Sequence, residues 1–164
     1  MLIPISKGKI KLPKVCCFVG HSEIWGDISQ ALTDAVERHI AEYGVTDFLV
    51  GNYGQFDRMA AATVKRAKEQ HPDIRLYLML PYRPEQGRPL PNMEGYDNTV
   101  YPMEMESVPL KLAIPRLNRI MVEDANYVIA YVMHSWGGAA TTLEYAQTKE
   151  RKGLIHIENL ADRA

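Results

Sequence analysis

Between Tyr127 and Ala146 the chain reads YVIAYVMHSWGGAATTLEYA, an apolar run, a glycine pair and the opening turns of a helix. Val128, Ile129, Ala130, Tyr131 and Val132 have the length and β-rich composition of a buried parallel strand. Gly137 and Gly138 let the backbone turn tightly and approach a ligand without a Cβ in the way. The Ala, Leu and Gln content around Thr141 and Thr142 favours helix. A helix that starts behind glycines presents unpaired N–H groups and the positive end of its dipole, which suits a phosphate.

The rest of the chain repeats that rhythm. Val15 to Val19 is continuously apolar and reads as a central strand ending at Gly20-His21-Ser22. Asp27 is placed as an N-cap, and Ile28, Leu32, Ala35, Val36, His39, Ile40 and Tyr43 follow at helical spacing until Gly44 stops the helix. Phe48 to Val50 forms a second strand that runs into GNYGQFD, a helix is expected over 57–70, and Ile74 to Leu80 reads as a third strand. Residues 1–13 read as a loose lead-in. The 81–108 stretch, with Pro81, Pro84, Pro89, Pro91 and Pro102, reads as one long loop. Helical spacing returns from Pro109 to Asp124, where Pro115 breaks or kinks the helix or opens a second one. Leu154 to Ile157 supplies a last strand.

Strands alternating with helices predict one α/β domain over residues 1–164, a three-layer Rossmann-like parallel sheet of about five strands with helices on both faces. In such sheets ligands bind beyond the C-terminal strand ends, where the strand order reverses. The glycine turns after the first, second and fourth expected strands all fall at such ends.

Charge narrows the partners. A net charge of −1 over 164 residues argues against a nucleic-acid protein relying on bulk electrostatics, although a local basic patch stays open. The only cysteines, Cys16 and Cys17, are strand neighbours pointing to opposite faces, so they do not bridge each other. Two free thiols suggest a reducing, cytoplasmic setting. No metal-ligand spacing is present and no cofactor is implied. No apolar segment is long enough to span a membrane.

Read from the residues alone, the candidates stay open. Gly20 and His21 place an N–H and an imidazole at the sheet edge, or are a plain strand-to-loop turn. Gly51, Asn52 and Gly54 with Asp57 wrap a phosphate or ribose, or Asp57 is simply the N-cap of the next helix. His134 and Ser135 sit in the key loop. Arg116 and Arg119 clamp a phosphate or occupy a solvated helix face. Spacing alone reads Glu144 as solvent-facing and His39 as packed; His71 and His156 read as structural or exposed.

Three stretches carry a resemblance: Phe18-Val19-Gly20-His21, Val50 through Asp57, and Tyr131 through Glu144. Together they resemble the SLOG superfamily, the Rossmann-like group that includes LONELY GUY-type nucleotide phosphoribohydrolases and Smf-type DNA-processing proteins. The nearest likeness is to small stand-alone bacterial or phage members, and it spans Val15 to Ile157. The hydrolase motif P-G-G-x-G-T-x-x-E is matched at Gly137, Gly138, Thr141 and Glu144, while Trp136 replaces its proline and Ala140 its third glycine. The resemblance implies that Gly137, Gly138 and Thr141 hold a nucleotide 5′-phosphate, with Ser135, Ala139 and Thr142 beside them. It further implies that Arg116 or Arg119 steadies the phosphate and that Glu144 acts at the N-glycosidic bond. A homodimer is also implied. The expected function is therefore binding of a nucleotide or nucleotide derivative, extended by hydrolysis of its N-glycosidic bond. The alternatives are a non-catalytic nucleotide sensor and, disfavoured by charge, a nucleic-acid partner protein.

Overall fold

The computed structural model describes residues 12–86 and 89–163, so only Leu12 and Pro13 of the expected lead-in lie within it. In chain order the elements are β1 (Val15–Gly20), α1 (Ser29–Ala41), β2 (Asp47–Val50), α2 (Gln55–Ala67), β3 (Arg75–Met79) and β4 (Asn98–Val100). They continue as α3 (Ala113–Asp124), β5 (Tyr127–Tyr131), α4 (Gly138–Arg151) and β6 (His156–Asn159). Short 3-10 turns cover Met103–Ser107, Leu110–Leu112 and Leu160–Arg163.

The strands form one six-stranded sheet in the order β4-β3-β2-β1-β5-β6. Every pairing is parallel; helices make the crossovers except between β3 and β4, where the described residues of 80–97 form no helix. The chain winds outward from β1 in one direction through β4, then returns to β1's other side with β5. The order therefore reverses between β1 and β5, which makes the gap beyond Gly20 and Tyr131 the switch point.

Side-chain alternation in β1 separates the two faces. Cys16 and Phe18 join Leu32 and Val36 of α1 and Phe56 and Val64 of α2 in one apolar cluster. Cys17 and Val19 join Leu117 and Met121 of α3 and Leu143 and Ala146 of α4 in the other. Burying side chains such as Phe48, Phe56 and Leu32 completely is worth about 1.5–3 kcal/mol each, so the sheet has a driving force on both sides. Both thiols are free and buried, and desolvation pushes Cys17 up to about 12. His39 is fully buried on α1, its ring edge-on to Tyr43 at 4.9 Å and to Tyr127 at 5.6 Å.

Two sequence expectations need correcting. The sheet has six strands because β4 lies inside the stretch read as loop; three residues are too short to display a period. Asp97 anchors that strand by accepting the Leu76 N–H at 2.8 Å and the Lys68 ammonium at 2.6 Å. Next, α2 starts at Gln55 with Gly54 before it, so Asp57 sits at the third helical position and is not the N-cap. Of the readings left open for Pro115, the start of a second helical segment is the one found: a 3-10 turn over Leu110–Leu112 precedes α3, and Pro115 lies in the first turn of α3, where a missing N–H costs no helix bond. Two smaller shifts concern boundaries: β6 begins at His156, and α1 begins at Ser29, whose N–H Asp27 accepts at 2.9 Å.

Candidate functional site

A cleft of about 410 Å³ opens at the switch point. Its walls come from the ends of β1, β2 and β5 and from one face of α3. The loops that make it are stitched to one another. The Gln55 N–H donates to the Ser22 carbonyl at 2.8 Å, and the Gln55 side-chain oxygen accepts the Ile24 N–H at 2.9 Å. Gly54 lies so close to that segment that a Cβ there would stand 2.6 Å from the Ser22 Cα. Only glycine permits this approach, so the loops after β1 and β2 act as one wall.

The opposite wall is the turn into α4. Gly137 has φ +94° and ψ 175°, a region open only to glycine, and it directly precedes the helix. Gly137, Gly138 and Ala139 line the cleft. The first N–H groups of a helix lack intrahelical partners, and no side chain caps this end. The positive end of α4 is thus presented to the cleft.

His21 joins the two walls. Its Nε2 accepts the Met133 N–H at 2.9 Å, so the proton resides on Nδ1 and the ring is neutral. Burial, and then the neighbouring His134, hold its pKa below the ordinary histidine value. The His21 ring stacks on His134 at 3.9 Å, and His134 stacks on Trp136 at 3.8 Å. The His134 Nδ1–H donates to the Trp136 carbonyl at 2.9 Å, which fixes that stack. Trp25 approaches both imidazoles edge-on at 6.3 and 6.2 Å, and its carbonyl accepts the Tyr131 hydroxyl at 3.0 Å.

Asp57 lies at the base of the β2 loop, half-buried and facing the cleft. One carboxyl oxygen accepts the Tyr53 N–H at 3.0 Å. Burial raises its pKa from 3.8 to about 6, outweighing that hydrogen bond and the nearby Arg58. Glu23 also lines the cleft, whereas no lysine or arginine is among the described lining residues.

The residues singled out from sequence therefore divide. Gly20, His21, Gly51, Gly54, Asp57, Gly137, Gly138 and Ala139 line the cleft together with His134. Asn52, Ser135, Thr141, Thr142, Glu144, Arg116 and Arg119 do not. The hydroxyls of Thr141 and Thr142 donate back to the carbonyls of Gly137 and Gly138 at 3.1 and 2.9 Å, bracing the turn from outside. Glu144 is exposed one turn further along α4. Arg116 lies 3.8 Å from Glu123, and the Arg119 guanidinium sits 4.8 Å above the Tyr145 ring, so both occupy the α3–α4 outer face.

Asn118, passed over in the sequence, faces the cleft along with Ile114, Leu117 and Met121. Their i, i+3, i+4, i+7 spacing marks one side of a helix, with Arg116 and Arg119 falling on the other, so the periodicity held the signal. Trp25 and Ser22 were also missed. Nothing local marks them, because they reach the cleft through a loop that folds back over β5.

No protein-family model and no curated protein sequence matches this chain. Solved structures do. The molybdenum cofactor carrier protein of Chlamydomonas reinhardtii superposes with a TM-score of 0.56 at 14% identity, covering 90% of this chain and 92% of that one. DNA processing protein A of Helicobacter pylori, described as binding single-stranded DNA, superposes with a TM-score of 0.55 at 15% identity, covering 92% and 78%. At such identities the likeness establishes a shared Rossmann-like α/β fold. It fits the superfamily resemblance at that level.

Proposed function

We propose that this chain binds a nucleotide or nucleotide derivative at the C-terminal edge of its sheet, with a phosphate against the first turn of α4. The observation that carries this reading is the Gly137–Ala139 turn. It sits at the switch point, with Gly137 in a glycine-only conformation and the helix's uncapped N–H end toward the cleft. His21 and the β2 loop close the opposite side, and in this reading the Asp57 oxygen not bonded to Tyr53 accepts a ribose hydroxyl. The likeness to a carrier of a small cofactor supports a small-molecule ligand. The likeness to a single-stranded DNA binder supports nucleic acid, but a cleft lined by carboxylates and no described lysine or arginine disfavours it.

Binding without turnover is the form the geometry supports best, because Glu144 is exposed and outside the cleft lining. Hydrolysis by Glu144, with Arg116 or Arg119 on the phosphate, rests on the resemblance alone, as does a homodimer. The two buried free thiols suit a cytoplasmic setting.

A panel of nucleoside monophosphates tests the reading. At a hundredfold excess over Kd, a bound nucleotide stabilises by about 2.7 kcal/mol, which raises Tm by about 5–10 °C in a chain of this size. Chromatography of the same mixtures is expected to show no free base. Base release abolished by Glu144→Ala would instead establish the hydrolytic form, and no Tm shift with any nucleotide would contradict both.

A further inference from the structure

We propose that the ring assembly at the cleft mouth, Trp136 on His134 on His21 with Trp25 at the side, is a stacking platform for the ligand's planar heteroaromatic base, and that the cleft accepts at most one phosphate. This inference rests on the nucleotide reading above and specifies the class of ligand.

The platform follows from the stack. Three rings lie parallel at 3.9 and 3.8 Å with interplanar angles of 18° and 12°, and the sequence of faces ends on the Trp136 indole. That indole lines the cleft yet remains 69% exposed, and Trp25 is 53% exposed beside it. Large aromatic rings left open at the mouth of a cleft, on residues whose backbone carbonyls are tied down by the Tyr131 hydroxyl and the His134 Nδ1–H, are surfaces prepared for another flat ring. A volume of about 410 Å³ suits a base, a sugar and one phosphate.

The charge limit follows from the lining. Glu23 and Asp57 are its ionisable carboxylates, against which stands the N-terminus of α4, equivalent to roughly half a positive charge. One phosphate is tolerable there. Each further phosphate adds negative charge beside carboxylates with no described lysine or arginine to offset it. The cleft therefore selects nucleosides and nucleoside monophosphates over triphosphates and polynucleotides.

Trp25 and Trp136 are the chain's two tryptophans, so fluorescence excited at the red edge, where the tyrosines do not absorb, reports on this mouth alone. Titration of the protein with adenosine, guanosine, cytidine and uridine 5′-monophosphates is expected to quench it for at least one of them. Calorimetry with that nucleotide is expected to show a roughly tenfold or greater loss of affinity in Trp136→Leu, with most affinity retained in Trp136→Phe. Ribose 5-phosphate binding is expected to be weak and indifferent to both substitutions. A thermal melt of each variant confirms that it is folded. If ribose 5-phosphate binds as tightly as the nucleotide and Trp136→Leu changes neither, the platform is wrong while the phosphate reading stands. If the nucleosides bind with quenching and ribose 5-phosphate does not bind, the platform stands while the phosphate reading falls. Binding of ATP or of an oligothymidylate more tightly than any monophosphate overturns the charge limit.

Discussion

The imidazole of His21 accepts the backbone N–H of Met133 at 2.9 Å, spanning the gap between β1 and β5 where the strand order reverses. A side chain from the first strand's end thereby fixes the path of the loop that leads to the Gly137 turn. His21→Ala removes the acceptor and the ring under His134 at once. We expect a loss of about 1–3 kcal/mol in urea denaturation, because a half-buried N–H is left without its partner. Hydrogen exchange should show faster exchange at Met133 than in the parent.

Gly137→Ala is expected to cost about 1–3 kcal/mol, since φ +94° with ψ 175° is closed to residues with a Cβ. Space is not the reason: a Cβ there would meet nothing within 4 Å. Denaturant midpoints of the two proteins check the value. The same substitution at Gly138, which lies in the helix proper with a negative φ and equally open surroundings, should be neutral or slightly stabilising.

Asp57 should impose a pH dependence on folding. Its folded pKa is raised from 3.8 to about 6, so the native state holds the proton more tightly than the unfolded chain. The associated stability is complete below the ordinary Asp pKa and lost as pH rises through about 6. For a half-buried carboxyl we take this as about 1–2 kcal/mol. Asp57→Asn keeps an oxygen for the Tyr53 N–H and should lack that slope. Urea midpoints of both proteins across about pH 4 to pH 7 test it.

His39 works in the opposite sense. Its Nδ1–H donates to the Ala35 carbonyl at 2.7 Å, while Nε2 is buried with no hydrogen-bond partner. Desolvation lowers its pKa below 6.5 despite that backbone bond and the nearby Glu158, and Arg38 and His156 add smaller contributions in the same lowering direction. A depressed histidine pKa means stability that is whole above the ordinary value and falls as pH drops below it. His39→Phe keeps a ring against Tyr43 and Tyr127 and removes the orphaned nitrogen. It should melt higher than the parent, with the advantage growing from pH 7.5 to pH 5.5.

What was readable in the sequence follows from what is local. The opposite facing of Cys16 and Cys17, the glycine turn before α4 and the parallel α/β order are encoded in neighbouring residues, and each is found as expected. β4 escaped because Asn98–Val100 is held by Asp97 and by pairing to β3, both long-range. Arg116 and Arg119 drew attention by chemistry, although the phase of α3 puts Asn118 toward the cleft instead. Trp136 stood out only as a replacement for proline. Its stacking on His134, and Trp25's place beside them, arise from loops that meet only in the folded chain.

The central claim is that the start of α4 receives a phosphate, and Gly138→Asp addresses it most directly. An aspartate in the first turn of a helix is favoured by the dipole, and its Cβ has open space, so Tm should be unchanged or higher. The new carboxylate would occupy the phosphate position. The account predicts that calorimetry with a nucleoside monophosphate bound by the parent shows at least a roughly hundredfold weaker Kd in this variant, a loss of about 2.7 kcal/mol. A folded Gly138→Asp protein that binds the same nucleotide as tightly as the parent would contradict it.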